Sequence, residues 1–317
     1  MGRDGNAMAG CRRTTRRGWI AATALAAVTP RGLSATDPPR RRCAPQFIPA
    51  LAAYGFRQYF PWSRGMAQAV ADPARALSIP GFIDYCADHG CDAELTAYYF
   101  DPAVGDADLA AFRRQAHLRG IAIAGTAVGN RFTLPAGPRL DGEIADVKRW
   151  IDRTALLGAG HMRVFAGPSG DGLDDAAARR QCIAALTECA AHAAARGVML
   201  GVENHGGVVA DPDGLLAVVR GVDSDWLGIS LDTGNFVSAD PYADLARCAP
   251  YAVNVQYKVS IRRTEGGPAE PADARRIVGI LRDAGYQGRV ALEYEEDEDP
   301  YAAVPRHLAA LRTALAG

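Results

Sequence analysis

The chain has 317 residues, 49% of them hydrophobic, and its 35 Lys and Arg against 36 Asp and Glu leave a net charge of -1. That is ample apolar material for one large core, and the balance excludes a protein that binds nucleic acid or an acidic membrane surface through its overall charge. No apolar run approaches the ~20 residues that span a bilayer, and the 7 Cys show neither a CxxC nor a Cys/His zinc spacing.

The N-terminus is unusually basic, with Arg12, Arg13, Arg16, Arg17, Arg31, Arg40, Arg41 and Arg42. Thr15-Arg16-Arg17-Gly18-Trp19-Ile20 resembles a twin-arginine export signal. A short apolar stretch from Trp19 to Val28 follows, then Gly32-Leu33-Ser34-Ala35, whose small residues suit cleavage after Ala35. Basic, apolar and small-residue regions in that order predict an export peptide over residues 1–35. This reading implies the twin-arginine translocation machinery as a partner and a periplasmic or secreted protein, not held at the membrane after export. Residues 36–52, rich in Pro and Arg, are expected to form a linker, leaving 53–317 as one domain.

From about residue 53, short β-branched or aromatic runs alternate with longer amphipathic runs. The predicted strands are Gly55–Phe60, Ala93–Tyr99, Ile121–Val128, Met162–Ala166, Val198–Glu203, Leu227–Asp232, Ala252–Lys258 and Arg289–Glu293. The predicted helices are Pro80–His89, Asp106–Arg119, Asp141–Leu157, Asp174–Arg196, Pro212–Arg220, Pro241–Ala249, Pro271–Ala284 and Tyr301–Leu315. Gly90, Gly120, Gly158, Gly197, Gly221 and Gly285 stand where helices should stop. Eight such units predict an α/β fold of one domain, a closed (β/α)8 TIM barrel. An open doubly wound sheet would want a glycine-rich phosphate loop after an early strand, and Pro61-Trp62-Ser63-Arg64-Gly65 is no such loop.

The informative feature is where the polar residues fall. Glu203, Asp232 and Glu293 end the fifth, sixth and eighth predicted strands, and Gln256 and Lys258 lie in the seventh. A carboxylate flanked by apolar strand residues is costly to bury unless its charge is compensated. Four consecutive strands thus aim polar groups at the C-terminal rim, where barrel enzymes carry out their chemistry. One divalent ion held by Glu203, Asp232, Gln256 and Glu293 would supply that compensation. An all-oxygen donor set favours Mn2+ or Mg2+ over Zn2+. The competing account is that the acids pair with Arg163 or Lys258 as salt bridges inside the barrel.

The motifs Glu203-Asn204-His205-Gly206-Gly207, Leu231-Asp232-Thr233-Gly234-Asn235 and Leu292-Glu293-Tyr294-Glu295 resemble the xylose isomerase-like barrel superfamily, in particular its sugar isomerase/epimerase group. The likeness runs from about residue 53 to the C-terminus. It implies that Glu203, Asp232 and Glu293 are metal ligands and that Glu203 and Glu293 are also the catalytic acid and base. The sequence departs from the group at three places. Gln256 stands where many members carry a ligating His, Asn235 where several epimerases carry a substrate-binding His, and Val259 where an acid often follows the strand-seven Lys. An amide oxygen still ligates, as a weaker and harder donor than imidazole.

The resemblance implies a metal-dependent isomerase or epimerase. Its expected substrate is a small-molecule sugar, an unphosphorylated ketose or keto-glycoside, with a proton moved through a metal-bound enediolate. A dehydratase of a keto-sugar or inosose needs the same metal and base and is not separable by sequence. A non-catalytic sugar-binding barrel would have no need of three clustered acids. His205, Asn235, Lys258, Trp62 and Arg262 are the expected substrate contacts, although His205 serves equally well as a hydrogen-bond partner of Glu203. The superfamily's DNA-repair members need a His-rich zinc site. Of the 6 His only His205 falls on the catalytic rim, and there is no basic face for nucleic acid.

Overall fold

The computed structural model describes residues 37–39, 41 and 43–317. The expected export signal lies outside the described residues. Eight parallel strands close into a barrel: β1 Phe47–Ala52, β2 Asp92–Thr96, β3 Ile123–Ala127, β4 His161–Val164, β5 Met199–Glu203, β6 Leu227–Asp232, β7 Ala252–Tyr257 and β8 Gly288–Leu292. Each strand pairs with its neighbours in sequence, and β1 closes the ring on β8 through Phe47↔Gly288 to Leu51↔Leu292. The predicted (β/α)8 barrel is therefore the observed fold, and it forms a single domain.

The outer layer comprises α1 Ile79–Asp88, α2 Asp106–Leu118, α3 Pro138–Leu156, α4 Asp175–Arg196, α5 Pro212–Gly221, α6 Pro241–Cys248, α7 Ala274–Asp283 and α8 Pro300–Ala316. Local chemistry sets their starts. Asp211, Asp240 and Asp299 each precede a proline and accept a hydrogen bond from a first-turn N–H. The carboxylate satisfies an orphan donor, and the proline brings a helix-ready φ where its missing N–H costs nothing. No described helix is long and apolar enough to cross a membrane.

The first strand corrects the sequence reading. Phe47–Ala52 lies inside the segment expected to be linker, so the barrel begins before residue 53. Pro49 and the prolines before it disguised a strand whose last half, Ala50–Ala52, is fully buried. Gly55–Phe60, expected to be the first strand, instead forms a 3-10 turn over Ala53–Phe56 and a loop. Its aromatic residues are buried by packing, with Phe56 edge-on to Phe82 of α1. An aromatic run satisfies β-pattern rules whether strands or helices cover it.

The main core lies between the strands and the helices. The barrel interior is largely polar: Glu94, His161, Arg163, Ser230, Asn254 and Gln256 are all buried. Small residues make room for this. A Cβ on Gly201 would come within 2.6 Å of His161 Nε2 and 2.9 Å of Ser230, so only glycine fits beside the buried imidazole. The described cysteines are all free, and all but Cys43 are buried. Burial pushes the Cys182, Cys189 and Cys248 thiols up to about 12, which leaves them unreactive.

Candidate active site at the C-terminal mouth of the barrel

Glu203 and Asp232 are the last residues of β5 and β6, Gln256 lies in β7, and Glu293 directly follows β8. All four are buried, Asp232 and Gln256 completely. Asn204 accounts for much of the local order. Its amide donates to the Asp232 carbonyl at 2.9 Å and accepts from the Asp232 N–H at 2.8 Å, buckling the end of β5 to the end of β6. Thr233 does the same between β6 and β7, its hydroxyl accepting from the Lys258 N–H at 2.9 Å. Gly206 and Gly207 then turn the chain at φ 66° and 57°. A Cβ on Gly207 would stand 2.5 Å from the Gly167 carbonyl, so Gly207 belongs to the loop's packing, whereas Gly206 faces open space and is favoured by its positive φ alone.

Glu203 is fully engaged. Arg163 Nε lies 2.9 Å from Oε2, while His205 Nδ1 donates to Oε1 at 2.8 Å and Asn235 Nδ2 donates to the same oxygen at 3.1 Å. Burial alone would raise this carboxyl, but Arg163 and the His205 hydrogen bond outweigh it and hold the pKa below the usual value. The same hydrogen bond raises His205 against its partial burial. The imidazole lies over Phe165, with ring centroids 4.5 Å apart.

Lys258 gathers the other carboxylates. Its Nζ lies 2.7 Å from Glu293 Oε2, 2.6 Å from Glu295 Oε2 and 3.4 Å from Asp232 Oδ2. Burial disfavours its charge, yet Asp232, Glu293 and Glu295 drive its pKa well above normal. Desolvation raises Glu293 despite Lys258, and pushes Asp232 up to about 7. Both bases named in the competing account are thus paired with rim acids, Arg163 with Glu203 and Lys258 with Glu293.

Beneath this rim sits a carboxylate that sequence reasoning missed. Glu94 of β2 is 1% exposed and accepts hydrogen bonds across the barrel from Asn254 Nδ2 at 2.9 Å and Gln256 Nε2 at 3.0 Å. Burial first, and Glu293 next, push it up to about 7. A charged residue in the middle of the otherwise apolar and hydroxyl-bearing run Ala93–Thr96 was the available signal.

Among the described residues, no group of three or more His, Cys, Asp and Glu is arranged to hold a metal ion. The donor chemistry nevertheless fits a hard divalent cation. Asp232 Oδ2 and Gln256 Oε1 are buried acceptors with no hydrogen bond, although Asp232 Oδ2 has the Lys258 ammonium 3.4 Å away; a cation would relieve the bare Gln256 oxygen and complete the compensation of Asp232. Each carboxylate also has about four lone-pair sites, so contact with Arg163 or Lys258 does not exhaust it.

A cavity of about 80 Å³ opens over these groups, lined in part by Tyr54, Arg163, Glu203, His205, Lys258 and Glu293. Asn235 and Arg262 line a neighbouring cavity that shares Lys258 and Glu293. Trp62, an expected substrate contact, lines neither; it lies in a short antiparallel ribbon, Trp62–Ser63 with Met66–Ala67. Tyr54 and Phe165, which do line the site, carry no signal in the sequence beyond ordinary aromatic packing.

The sequence matches the family described as xylose isomerase-like TIM barrel over residues 83–313. The chain belongs to this family. Solved structures of similar fold include a D-psicose 3-epimerase in the presence of D-fructose, at 17% identity and a TM-score of 0.69, covering 85% of this chain and 100% of that one. An L-ribulose 3-epimerase aligns at 19% identity and TM-score 0.63, covering 85% and 96%. A 3-keto-D-glucoside 4-epimerase from E. coli aligns at 15% identity and TM-score 0.61, covering 84% and 100%. These likenesses establish the shared barrel. Among curated protein sequences there was no match.

Proposed function

We propose that this family member is a sugar isomerase or epimerase that moves a proton on a carbon beside a sugar carbonyl, with one divalent ion held by Glu203, Asp232, Gln256 and Glu293. The observation that carries this reading is the gathering of those four buried oxygen-bearing side chains at one barrel mouth, where Asp232 Oδ2 and Gln256 Oε1 accept no hydrogen bond and only the Lys258 ammonium stands near the former. The fold neighbours that act on D-psicose, L-ribulose and 3-keto-D-glucosides add support by analogy.

A divalent ion in that position would polarise the carbonyl and make the adjacent C–H more acidic; Mn2+ or Mg2+ suits the oxygen donors best. The chain's own residues do the rest. Glu203 and Glu293 reach the same cavity from β5 and β8. One removes the proton, and the other returns it to the opposite face for epimerisation. For isomerisation the same base returns it to the adjacent carbon. Arg163, His205 and Asn235 fix the Glu203 carboxylate. Lys258 limits the negative charge beside the reacting carbon. The sequence shows no phosphate-cradling loop, which together with the export signal that we propose for residues 1–35 favours an unphosphorylated ketose or keto-glycoside met outside the cytoplasm.

The test is NMR of candidate keto-sugars incubated in D2O with the protein and Mn2+. Solvent deuterium at the carbon beside the carbonyl, in an epimer or isomer of the starting sugar, is the expected result. Loss of a β-hydroxyl would instead assign a dehydratase. No exchange into any keto-sugar, with metal bound, would overturn both.

A further inference from the structure

The cavity above Glu203 and Glu293, about 80 Å³, is small for a whole sugar substrate. Clefts that hold small molecules run to roughly 300–1,000 Å³. Beside it lies a cleft of about 390 Å³, and the two share Arg64 and Tyr98 as a common wall.

Three features of that wall point to a ligand. Arg64 sits at φ 52°, in the left-handed region that a bulky side chain rarely adopts, on the two-residue turn Arg64-Gly65 of the Trp62–Ala67 ribbon. Such strain persists where the surrounding structure enforces it and concentrates at binding sites. Here the Arg64 N–H donates to the Tyr98 carbonyl at 2.9 Å, and the guanidinium lies 3.9 Å from the Tyr98 ring centroid. Arg64 makes no ion pair with any described residue, so its donors remain available. The Tyr98 hydroxyl is buried beside Arg163 and makes no hydrogen bond of good geometry. Finally, both groups converge over Gly129, where a Cβ would lie 2.5 Å from the Tyr98 hydroxyl and 2.7 Å from Arg64 Nη1. The far side of the cleft is walled by Trp150 and by Arg153, which also lacks a carboxylate partner among the described residues.

We propose that the substrate is a two-ring sugar, whose reacting ring sits over Glu203 and Glu293 while its second, glycosidically linked ring fills the cleft between Arg64, Tyr98 and Arg153. A planar guanidinium fork stacked on an aromatic ring offers several fixed donors to vicinal hydroxyl oxygens, and the Tyr98 hydroxyl, which can both donate and accept, adds one more partner. This deepens the proposed sugar isomerase or epimerase reading and rests on it. Binding energy from the non-reacting ring would then be available to position the reacting carbon.

The experiment compares single-ring probes, D-fructose and 3-keto-glucose, with two-ring probes, cellobiose, maltose and their 3-keto derivatives. Binding is measured by calorimetry and deuterium exchange by NMR, in wild type and in Arg64→Gly, a change that suits the positive φ. Two-ring probes are expected to bind at least tenfold more tightly than single-ring ones. Arg64→Gly should reduce two-ring binding and kcat/KM at least tenfold more than the single-ring values, and Arg153→Met should act in the same direction. Equal affinity for the two classes, or an Arg64→Gly loss that is the same for both, overturns the proposal. Because binding of the unoxidised disaccharides needs no turnover, it judges the cleft even if exchange fails and the catalytic reading falls.

Discussion

Glu94 and Gln256 meet inside the barrel from opposite walls, with Gln256 Nε2 donating to Glu94 Oε1 at 3.0 Å. Since β2 and β7 are not neighbours in the ring, the bond spans the interior and fixes which end of the amide faces which way. A carboxylate acceptor demands the NH2 group and leaves Oε1, unpartnered and buried, as the atom available to a cation. Glu94→Ala should therefore weaken Mn2+ binding by ~10–100-fold, as loss of a ligand-orienting partner typically does. Calorimetric titration of metal-free protein checks this. An unchanged affinity would mean that the amide is held by other contacts.

Arg163 and Glu203 form an ion pair in which both side chains are only 4% exposed. Removing one partner of a buried pair strands the other charge at a cost of ~3–5 kcal/mol. Arg163→Met is expected to destabilise the protein by about that much in urea unfolding. Arg163→Met with Glu203→Gln should recover part of the loss, since no buried charge is then left unpaired. Equal losses in the single and double variants would show that the arginine acts mainly by packing, for instance over Phe165, 3.9 Å from its guanidinium carbon.

The metal-free protein should lose stability as the pH rises. Burial holds both Glu94 and Asp232 at about 7, above the roughly 4 of an unfolded carboxylate. A carboxyl whose pKa is raised on folding binds its proton more tightly in the folded state. Its contribution is complete below pH ~4 and disappears as the pH passes through about 7. Unfolding in urea at pH 5, 6.5 and 8 should show this decline, and Glu94→Gln should flatten it. A Glu94→Gln protein with the wild-type pH slope would contradict the assignment.

Gly201 sits where a Cβ would press on His161 and on the backbone of β6. Gly201→Ala is expected to cost ~1–3 kcal/mol by overpacking the interior, read as a lowered urea midpoint without a change of slope. A stability equal to wild type would mean that the barrel relaxes around the extra methyl.

Much of this architecture is legible in the sequence because barrel strands and helices announce themselves through period, glycine stops and Asp-Pro starts. The acids at the ends of β5, β6 and β8 stand out because a charge at the end of an apolar run needs a reason. What stayed hidden has a physical cause in each case. Phe47–Ala52 carries a proline that argues against a strand, and Gly55–Phe60 is buried by side-chain packing without strand pairing. Glu94 lies far in sequence from the residues it serves, and only closure of the ring brings it to Gln256. Arg64 acquires its place from a turn and a neighbouring aromatic ring, neither of which any local pattern marks. Trp62, which follows an early hydrophobic run, lies in the ribbon and lines neither cavity over the rim, whereas Arg64 of the same ribbon lines one of them.

The most direct test of the central claim is titration of the metal-free protein with Mn2+, followed by electron paramagnetic resonance and calorimetry, for wild type, Asp232→Asn and Gln256→Leu. The account predicts one tightly held ion per chain in wild type and a loss of affinity of at least tenfold in each variant. A folded wild-type protein that takes up no ion, or one whose uptake is indifferent to both substitutions, would contradict it.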